Sequence, residues 1–572
     1  MSRLAVSSLA CLLLAYSATS VATPPPAPTP GQVQSILPTQ PVLPEPKAAA
    51  PVAPAAPAST MVEPGGPTVT LQGFDLSGNT VFSTEVLEAQ VADYLHRPVT
   101  LADIYKLADV LTDYYQSRGY SIARASVPQQ KLDNGILHIQ ILEGAIGQLS
   151  VEGNTRTRSG VILGQSAALA PGQVYTDRAM DRAVLLVNDL PGVQAQAVLQ
   201  PGSVFGTTDV VYTAQEQSYG GEVSVDDYGR TSTGRTRFNA SVDVNSPTGS
   251  GDRLSAAVTH AEHDLLNFGS LVYSLPLGPD GGRFSAGYNE SVYRVSDPAF
   301  YRLDVRGRTE DGSLSYQFPG LRTHDENVYW GLSWLHGGST NRSQIPGDRN
   351  KPPTPIDTDS NVNTLQLTFL YNRYAQDGAA TTFSGSFTSN GKQNPDGVDI
   401  NAEAMRINLD GSWYRPLGGS WVFVGRAGGQ WSADTLPDID KYSLGGPDSV
   451  RGFQSAEARG DGGVSASGEV QHPLGSWPLT LGWFVDGGKV WTQGVFVDVL
   501  PSTGPGGSIN PGGTTKTVGS NATLTATGLD LEFSSPERRW HGSLQWAYAI
   551  GGRKPSDGNE GGHLWVSISM SF

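Results

Sequence analysis

The chain has 572 residues, of which 38% are hydrophobic and 16% are charged, and its formal net charge at pH 7 is −16. Such an acidic chain lacks the basic excess that neutralises phosphates, which argues against nucleic acid as its main partner. Beyond the N-terminus, no apolar run approaches the roughly 20 residues that a membrane-spanning helix needs. The 69 glycines, 21 tyrosines and 11 tryptophans are instead typical of a β-rich protein with many turns and aromatic girdles.

The N-terminal residues 1–22 have the pattern of a cleaved export signal. Arg3 precedes an apolar core at 9–15, and a Ser-Val-Ala run at 20–22 supplies a small-residue cleavage site. The single cysteine, Cys11, lies in this signal, so the mature protein is expected to lack disulfides and thiol chemistry. Residues 23–67 hold fourteen prolines mixed with alanine, which predicts an extended linker without a core.

A small α/β unit is predicted over residues 68–144. Thr100 is followed three residues later by Asp103, which is capping-box spacing, and apolar residues then recur at helical spacing until Gly119. The predicted elements are a strand at 69–74, helices at 84–94 and from 101, and strands at 121–127 and 136–142.

The same plan recurs over residues 145–216, which indicates an internal duplication. A strand at 146–151 is followed by Gly153 and Asn154, which echo Gly78 and Asn79 after the first strand of the preceding unit. Thr176 is predicted to cap a helix, and strands at 193–200 and 209–214 close the unit.

Residues 217–572 are predicted to form an antiparallel barrel. An even number of strands closes such a barrel with both chain ends on one side of the membrane. Sixteen strands are predicted, centred near Val223, Asn239, Ala256, Val272, Ala286, Leu314, Trp330, Leu367, Ser384, Leu409, Val424, Ser467, Trp483, Leu529, Trp546 and Ile568.

Apolar and polar residues alternate along several of these strands. At the end of the chain, Leu564, Val566 and Ile568 alternate with Trp565 and Ser567. A charged or polar inward set predicts a wet interior and a lipid-facing apolar exterior, the reverse of a soluble sandwich. The long gaps 337–361, 432–463 and 493–521 are predicted to be extracellular loops.

The candidate functional site combines the Gly-rich segment 444–454, which carries Arg451, with the strand at 479–488, which carries Asp486. Period-two alternation directs Asp486 to the lumen. A charge under a low-dielectric wall needs a partner, and arginine is a fork-shaped one. We therefore expect the loop 432–463 to fold into the pore so that Arg451 docks on Asp486. Glu469 also points inward by alternation and is a further candidate contact.

These motifs resemble those of two-partner secretion transporters (TpsB type, ShlB/FhaC/HecB-like) in the BamA-like superfamily. The loop tip reads Val450-Arg451-Gly452-Phe453, and the later strand reads Phe484-x-Asp486-x-Gly488. The two α/β units resemble POTRA domains through Tyr115-x-x-Arg118-Gly119-Tyr120 and Leu142-Glu143-Gly144. Phe572 resembles the C-terminal aromatic signal of outer-membrane barrels.

The resemblance implies a membrane all-β fold, with a 16-stranded outer-membrane β-barrel preceded by two periplasmic α/β POTRA domains of order βααββ. It also implies export of one large adhesin- or haemolysin-like exoprotein from the periplasm to the surface of a Gram-negative cell, without nucleotide hydrolysis. The expected partners are that exoprotein, recognised by the POTRA domains, and outer-membrane lipid, with the transporter a monomer. In this family an N-terminal helix can plug the pore; residues 31–37 are the candidate here, although a plain linker is favoured.

Several alternatives remain open from the sequence. The Arg451–Asp486 pair is either a brace for the loop or part of transport gating, and the POTRA domains either dock cargo or only orient the barrel. The chain as a whole is alternatively an outer-membrane protein assembly factor of the same superfamily, or a passive porin.

No pattern in the sequence indicates an enzyme. The motifs G-x-S-x-G, H-E-x-x-H and C-x-x-C are absent, and the nine histidines show no metal-ligand spacing. We therefore expect no catalytic residues, no metal and no cofactor.

Overall fold

The computed structural model of the chain describes residues 67–297, 301–345, 352–391, 404–493, 495–498, 502–503, 509–510, 515–518, 521–537 and 539–572. The expected export signal, the possible plug at 31–37 and all of the expected linker except Pro67 lie outside these residues. No helix within the described ranges is long and apolar enough to cross a membrane.

The first α/β unit has two helices packed on a three-stranded sheet. Its elements are β1 (Val69–Thr70), β2 (Gly73–Ser77), α1 (Thr84–Val91), β3 (Pro98–Val99), α2 (Leu101–Gln116), β4 (Arg124–Ser126) and β5 (Ile136–Leu142). The sheet order is β2–β5–β4, with β2 parallel to β5. Thr100 and Asp103 form the predicted capping box, in which the Thr100 N–H donates to the Asp103 carboxylate at 2.9 Å.

Three predictions for this unit were wrong in detail. The single strand predicted at 69–74 is divided into β1, paired with β3, and β2, paired with β5. The division falls at Leu71, which is buried and whose carbonyl accepts from the His96 N–H. The strand predicted at 121–127 is reduced to the three residues of β4, and the end of the helix predicted at 84–94 is a 3₁₀ turn at Ala92–Tyr94.

The second unit repeats this plan. Its elements are β6 (Ala145–Glu152), α3 (Ser159–Gly164), α4 (Asp177–Asn188), β7 (Val193–Pro201) and β8 (Thr207–Glu216), and the sheet order is β6–β8–β7. Thr176 caps α4 as predicted, because its side chain accepts from the Ala179 N–H at 3.2 Å. The short α3 was not predicted; it begins Ser-Gly and ends in glycine, and glycine is a poor helix former.

The duplication extends to a capping carboxylate in each unit. In the first unit, Glu143 accepts from the backbone N–H groups of Thr80 and Val81, both at 2.8 Å. In the second, Glu216 accepts from the N–H groups of residues 155–157 at 2.6–2.9 Å. Both glutamates therefore tie the end of the closing strand to the loop that follows the first strand of the same unit.

The remainder of the described chain forms a barrel. Its elements are β9 (Tyr219–Asp226), β10 (Arg237–Asn245), β11 (Arg253–Ala261), β12 (Leu266–Pro276), β13 (Arg283–Arg294), β14 (Arg306–Arg322), β15 (Glu326–Ile345), β16 (Thr354–Tyr374), β17 (Ala380–Asn390), β18 (Met405–Gly418), β19 (Trp421–Trp431), β20 (Tyr442–Leu444), β21 (Ala458–Gly460), β22 (Gly462–Pro473), β23 (Leu479–Trp491), β24 (Val495–Asp498), β25 (Ser502–Thr503), β26 (Ile509–Asn510), β27 (Thr515–Val518), β28 (Ala522–Ser534), β29 (Trp540–Ala549) and β30 (His563–Ser571). All except β20, β21 and β24–β27 join in one closed sixteen-stranded antiparallel barrel, and every predicted strand centre lies in one of these sixteen strands.

The barrel closes where β30 meets β9. This seam has only five paired residues, from Ser567 opposite Asp226 to Ser571 opposite Glu222. Every other pair of neighbouring barrel strands has eight or more. The seam is therefore the shortest ladder in the barrel.

The prediction of a loop at 337–361 was wrong. Residues 337–345 and 354–361 belong to β15 and β16, which stay in register from Glu326 opposite Arg373 to Ile345 opposite Thr354. The sequence predicts a loop here because the segment is rich in Gly, Ser, Thr and Asn. Beyond the hydrocarbon, however, a hairpin among headgroups and water needs no apolar face, so backbone pairing continues without the alternation that predicts a membrane strand.

The second α/β unit is fixed to one end of the barrel. Arg322, at the end of β14, donates from Nε and Nη2 to the two carboxylate oxygens of Asp189 at 2.9 and 2.7 Å. Asn245, at the end of β10, donates to the Gln217 carbonyl at 2.9 Å. This end carries the short turns between barrel strands, and the loop with Arg451 emerges at the other end.

Protonation of Glu216 should weaken the second α/β unit. Burial opposes the charged carboxylate, but hydrogen bonds from residues 155–157 outweigh it and lower the pKa of Glu216 to about 2. A lowered folded-state pKa stabilises the fold above the ordinary pKa of 4.5, and that contribution is lost as the pH falls through about 2. We expect Glu216→Gln to cost about 1–2 kcal/mol at pH 7, measured by calorimetry of the full-length protein.

The difference between wild type and Glu216→Gln should narrow below pH 4.5 and disappear near pH 2. Glu152→Gln, on an exposed position of β6, is the control and should be neutral. A Glu216→Gln effect of the same size at every pH would contradict the assignment.

Candidate functional site

The candidate site is built on the loop between β19 and β22. Its stem is a short hairpin in which β20 pairs with β21. At the tip the chain turns sharply at Gly445 and Gly446, whose φ values of +104° and +100° favour glycine. The Gly446 N–H then donates to the Phe453 carbonyl at 2.9 Å, which closes the tip into a compact turn around Arg451.

Arg451 reaches the barrel wall and binds Asp486 on β23 as a fork. Nε donates to Oδ2 and Nη2 donates to Oδ1, both at 2.9 Å. The backbone N–H of Arg451 adds a third bond to Oδ2 at 3.1 Å. The side chains are 2% and 0% exposed, so this is a buried, bidentate, charge-assisted pair.

Other wall groups complete the surroundings of the guanidinium. Nη1 donates to Glu469 on β22 at 2.8 Å, and Nη2 donates to the Ser467 hydroxyl at 3.1 Å. The Ser467 hydroxyl in turn donates to Asp486. The guanidinium carbon lies 3.2 Å from the centroid of the Phe484 ring, a cation–π contact. The arginine is thus held by two strands.

Apolar contacts seat the loop beside this ionic cluster. Leu444, Val450 and Phe453 are fully buried against Leu524 and Ala526 of β28. Burying such side chains favours docking by roughly 1.5–3 kcal/mol for each large one. The loop is therefore held by a hydrophobic contact as well as by charge.

Two glycines allow this close approach. A Cβ at Gly452 would lie 2.8 Å from the Ala526 Cβ and 2.8 Å from the Ala549 backbone nitrogen. A Cβ at Gly488 would lie 2.9 Å from the methyl groups of Leu444. Gly452 thus lets the tip contact the wall, and Gly488 makes room for the loop stem.

All eight residues singled out in the sequence lie in this one site. Val450, Arg451, Gly452 and Phe453 form the tip. Phe484, Asp486 and Glu469 surround the guanidinium, whereas Gly488 lies under Leu444 instead of against the arginine.

Sequence reasoning did not identify the partners on the β9–β30 side. Trp565 of β30 donates from Nε1 to the Arg451 carbonyl at 2.7 Å. Arg230, in the connection after β9, donates to the Ser455 and Ala456 carbonyls at 2.6 and 2.7 Å. Trp565 could have been found from the sequence, because it is a large indole on an inward face otherwise occupied by serines. The sequence around Arg230 contains no comparable indication.

One group of carboxylates in the described chain has oxygens close enough to hold a cation. Glu469, Asp530 and Glu532 place them within 4.8 Å of one another. Glu469 already accepts from Arg451, and Asp530 accepts from Gln545 at 3.1 Å. The arginine therefore supplies positive charge at this place, and the arrangement suits anchoring the loop more than binding a metal.

Removing the arginine should leave two buried carboxylates without a counter-charge. We expect Arg451→Ala to destabilise the barrel by about 3–5 kcal/mol, measured by reversible urea unfolding in lipid vesicles. The triple variant Arg451→Ala, Glu469→Gln, Asp486→Asn should recover part of that loss, because no uncompensated charge remains. A triple variant less stable than the single one would contradict this account.

Comparison with protein families identifies two matching models. The family "Haemolysin secretion/activation protein ShlB/FhaC/HecB" matches residues 206–498, slightly more than half of the chain. The model "POTRA domain, ShlB-type" matches residues 69–144. The first thus reaches from the end of the second α/β unit through the Arg451 loop and β23.

Similar curated proteins are transporters of Gram-negative bacteria. The heme/hemopexin transporter protein HuxB of Haemophilus influenzae is 23% identical over 522 residues, covering 88% of this chain and 87% of HuxB. The outer membrane transporter CdiB of Escherichia coli is 25% identical over 452 residues, covering 75% and 73%. The hemolysin transporter protein HpmB of Proteus mirabilis is 24% identical over 505 residues, covering 84% of each chain.

Solved structures share the fold. CdiB from Escherichia coli superposes with a TM-score of 0.68 at 21% identity, covering 90% of this chain and 93% of that one. BamA from Haemophilus ducreyi lacking POTRA domains 1–3 gives 0.50 at 16% identity, covering 88% and 100%. The protein is an outer-membrane β-barrel with two periplasmic POTRA domains, as predicted. The chain belongs to the haemolysin secretion/activation protein family ShlB/FhaC/HecB, a family of outer-membrane transporters.

Proposed function

We propose that this protein is the outer-membrane pore of a two-partner secretion system, which moves one large adhesin- or haemolysin-like exoprotein from the periplasm to the cell surface. The observation that carries the proposal is a pair of POTRA domains fixed to the mouth of a barrel whose lumen holds a docked, arginine-tipped loop. Relatives named as transporters of haemolysin and of heme/hemopexin support it.

The polar lumen suits an unfolded passenger. An extended backbone crossing the membrane needs hydrogen-bonding surroundings, since apolar surroundings would leave its N–H and C=O groups unsatisfied. No nucleotide hydrolysis is needed in this mechanism, because folding of the exoprotein outside the cell supplies the direction. The barrel closes within one chain, so in this proposal a single copy is enough to form the pore.

The Arg451 cluster sets the position of the loop. Asp486 and Glu469 neutralise the guanidinium at one place on the wall, and Gly452 lets the tip lie flat there. In this proposal the docked loop shapes the lumen through which the passenger passes. The same contacts also brace the loop, so bracing and transport are two consequences of one interaction.

The POTRA domains receive the exoprotein at an open sheet edge. In the described chain, β7 has a strand neighbour on one side only, β8. On the free side, Asn188 bonds to the N–H and C=O of Ala195 through its side-chain amide and so occupies the part of the edge nearest the barrel. The further part, towards Pro201, is left for an extended segment of cargo to pair with. Exposed Val204 and Phe205 lie just beyond it.

An outer-membrane protein assembly factor is the second candidate, favoured by the fold shared with BamA. Deletion of the gene distinguishes the two. Loss of a single secreted protein supports the exporter, whereas a general depletion of outer-membrane barrels supports the assembly factor. Small-solute conductance without either defect would support a passive porin.

Arg451→Ala is expected to reduce secretion of the cognate exoprotein at least tenfold while the barrel still assembles. Arg451→Lys should be nearly as defective, because an ammonium cannot reproduce the bidentate fork. Secreted exoprotein is measured in the medium, and barrel assembly by heat-modifiable migration in gels.

The control for the arginine is Arg459→Ala in the same loop, whose partner Asp438 also belongs to the loop. It should secrete at close to the wild-type level. Normal secretion by Arg451→Ala would remove the loop position from the mechanism.

Gln196→Lys combined with Gln200→Lys should weaken binding of the exoprotein's N-terminal region to the full-length transporter by about tenfold. These exposed side chains flank the open part of β7, and charges at a strand edge discourage pairing. Affinity is measured by surface plasmon resonance, with exposed Gln173→Lys as the control. Unchanged affinity in the double variant would place docking elsewhere.

A further inference from the structure

A band of charged side chains lies on the outer surface of β13, β14 and β15, towards the extracellular end. On β14 the lipid-facing residues nearest the periplasm are apolar and exposed: Phe318, Tyr316 and Leu314. The next residues on the same face are Gly312, Glu310, Arg308 and Arg306. The outward face therefore changes from apolar to charged within one strand.

The change occurs at the height of the outer headgroups. From Phe318 to Arg306 is twelve residues, about 40 Å along a strand and about 30 Å along the membrane normal at the usual tilt. The apolar band of outer-membrane barrels is about 25 Å tall. Arg306 thus lies just beyond the hydrocarbon, at the end of the barrel opposite the POTRA domains.

Three arginines stand side by side at this level. Arg306 on β14 is directly opposite Arg294 on β13 and Arg342 on β15. Directly opposite side chains on one face have Cβ atoms about 4.5–5.5 Å apart, and like charges in such pairs are destabilising. A row of three cations across adjacent strands therefore needs anions.

Two carboxylates of the protein accept hydrogen bonds from these three arginines. Asp304 accepts from Arg306 at 2.8 and 3.1 Å and from Arg294 at 3.3 Å. Asp357 accepts from Arg342 at 2.8 and 2.9 Å. All three arginine side chains remain more than half exposed, and each guanidinium has five donors. Asp359 adds negative charge near Arg342, so the row offers a ligand its unused guanidinium donors, directed away from the barrel.

The acidic residues beneath the row share one arginine. Glu290 and Glu310 lie opposite each other on β13 and β14, and Arg308 binds both, at 3.2 and 3.3 Å. Arg308 therefore offsets one of their two negative charges, and the other lies four residues along the strand from the row, nearer the hydrocarbon.

We propose that Arg294, Arg306 and Arg342 form a binding site for the phosphate of an anionic outer-leaflet glycolipid of the lipid A class. The side chains face the surrounding membrane, at headgroup height, above apolar residues that contact acyl chains. Arginine forks bind phosphate oxygens in pairs. A lipid phosphate also relieves the repulsion among the three cations. The site is separate from the lumen and depends only on the outer-membrane location.

The test uses the full-length protein purified from outer membranes and washed in detergent. Tightly bound lipid A is quantified by mass spectrometry for wild type and for Arg294→Gln, Arg306→Gln, Arg342→Gln. We expect the triple variant to retain at least fivefold less lipid A for each protein. The charge-matched control is Arg373→Gln, Arg415→Gln, Arg539→Gln at the periplasmic end, which should retain the wild-type amount.

Heat-modifiable migration verifies that each variant is folded, and the corresponding triple lysine variant tests the fork, since it should recover only part of the retention. A second arm adds inorganic phosphate to the washed wild-type protein at millimolar concentration, which should not displace the lipid. Equal retention by the arginine variant and wild type, equal loss in the control, or displacement by free phosphate would each overturn the proposal.

Discussion

A buried guanidinium in the lumen is the constraint on which the rest of the structure depends. Arg451 is almost wholly inaccessible, and leaving such a charge unpaired is far more costly than leaving a surface charge unpaired. Asp486 and Glu469 must therefore lie on inward positions of neighbouring strands, and the loop must turn tightly enough to bring the arginine between them. Gly452 and Gly488 meet the steric part of this requirement by removing side chains where the loop touches the wall.

The barrel supplies the rigid surface on which that pair is held. Alternation places Leu481, Trp483 and Val485 towards lipid while Phe484 and Asp486 face inward on the same strand. The sequence of β23 thus specifies both an apolar face towards lipid and a face towards the lumen that holds the ion pair. At the periplasmic end, the Arg322–Asp189 fork plays a similar role for the second POTRA domain, whose sheet is thereby fixed relative to the mouth of the lumen.

Period-two patterning predicts all sixteen barrel strands and the inward position of Asp486, because lipid and water select opposite faces of every strand. The contact with Arg451 follows only when the need of a lumenal charge for a partner is added. The pattern failed to predict strands where the chain leaves the hydrocarbon and a strand no longer has one apolar and one polar face. The parts of β15 and β16 beyond the hydrocarbon have no apolar face, so the sequence predicts a loop there. Trp565 and Arg230 reach the loop from parts of the chain that are distant from it in sequence, and their partners are backbone carbonyls, which leave no mark on residue identity. The glycine-flanked α3 gave too weak a helical pattern.

The short ladder between β30 and β9 has a consequence when combined with these late-found partners. Trp565 on one flank bonds to the Arg451 carbonyl, and the Tyr228 carbonyl on the other flank accepts from the Ser455 hydroxyl. The loop therefore makes contacts on both sides of the seam between β30 and β9, which has the fewest paired residues in the barrel. Moving the loop out of the lumen would therefore remove hydrogen bonds on both sides of the shortest ladder in the barrel, so the loop's position and the support of this seam depend on each other.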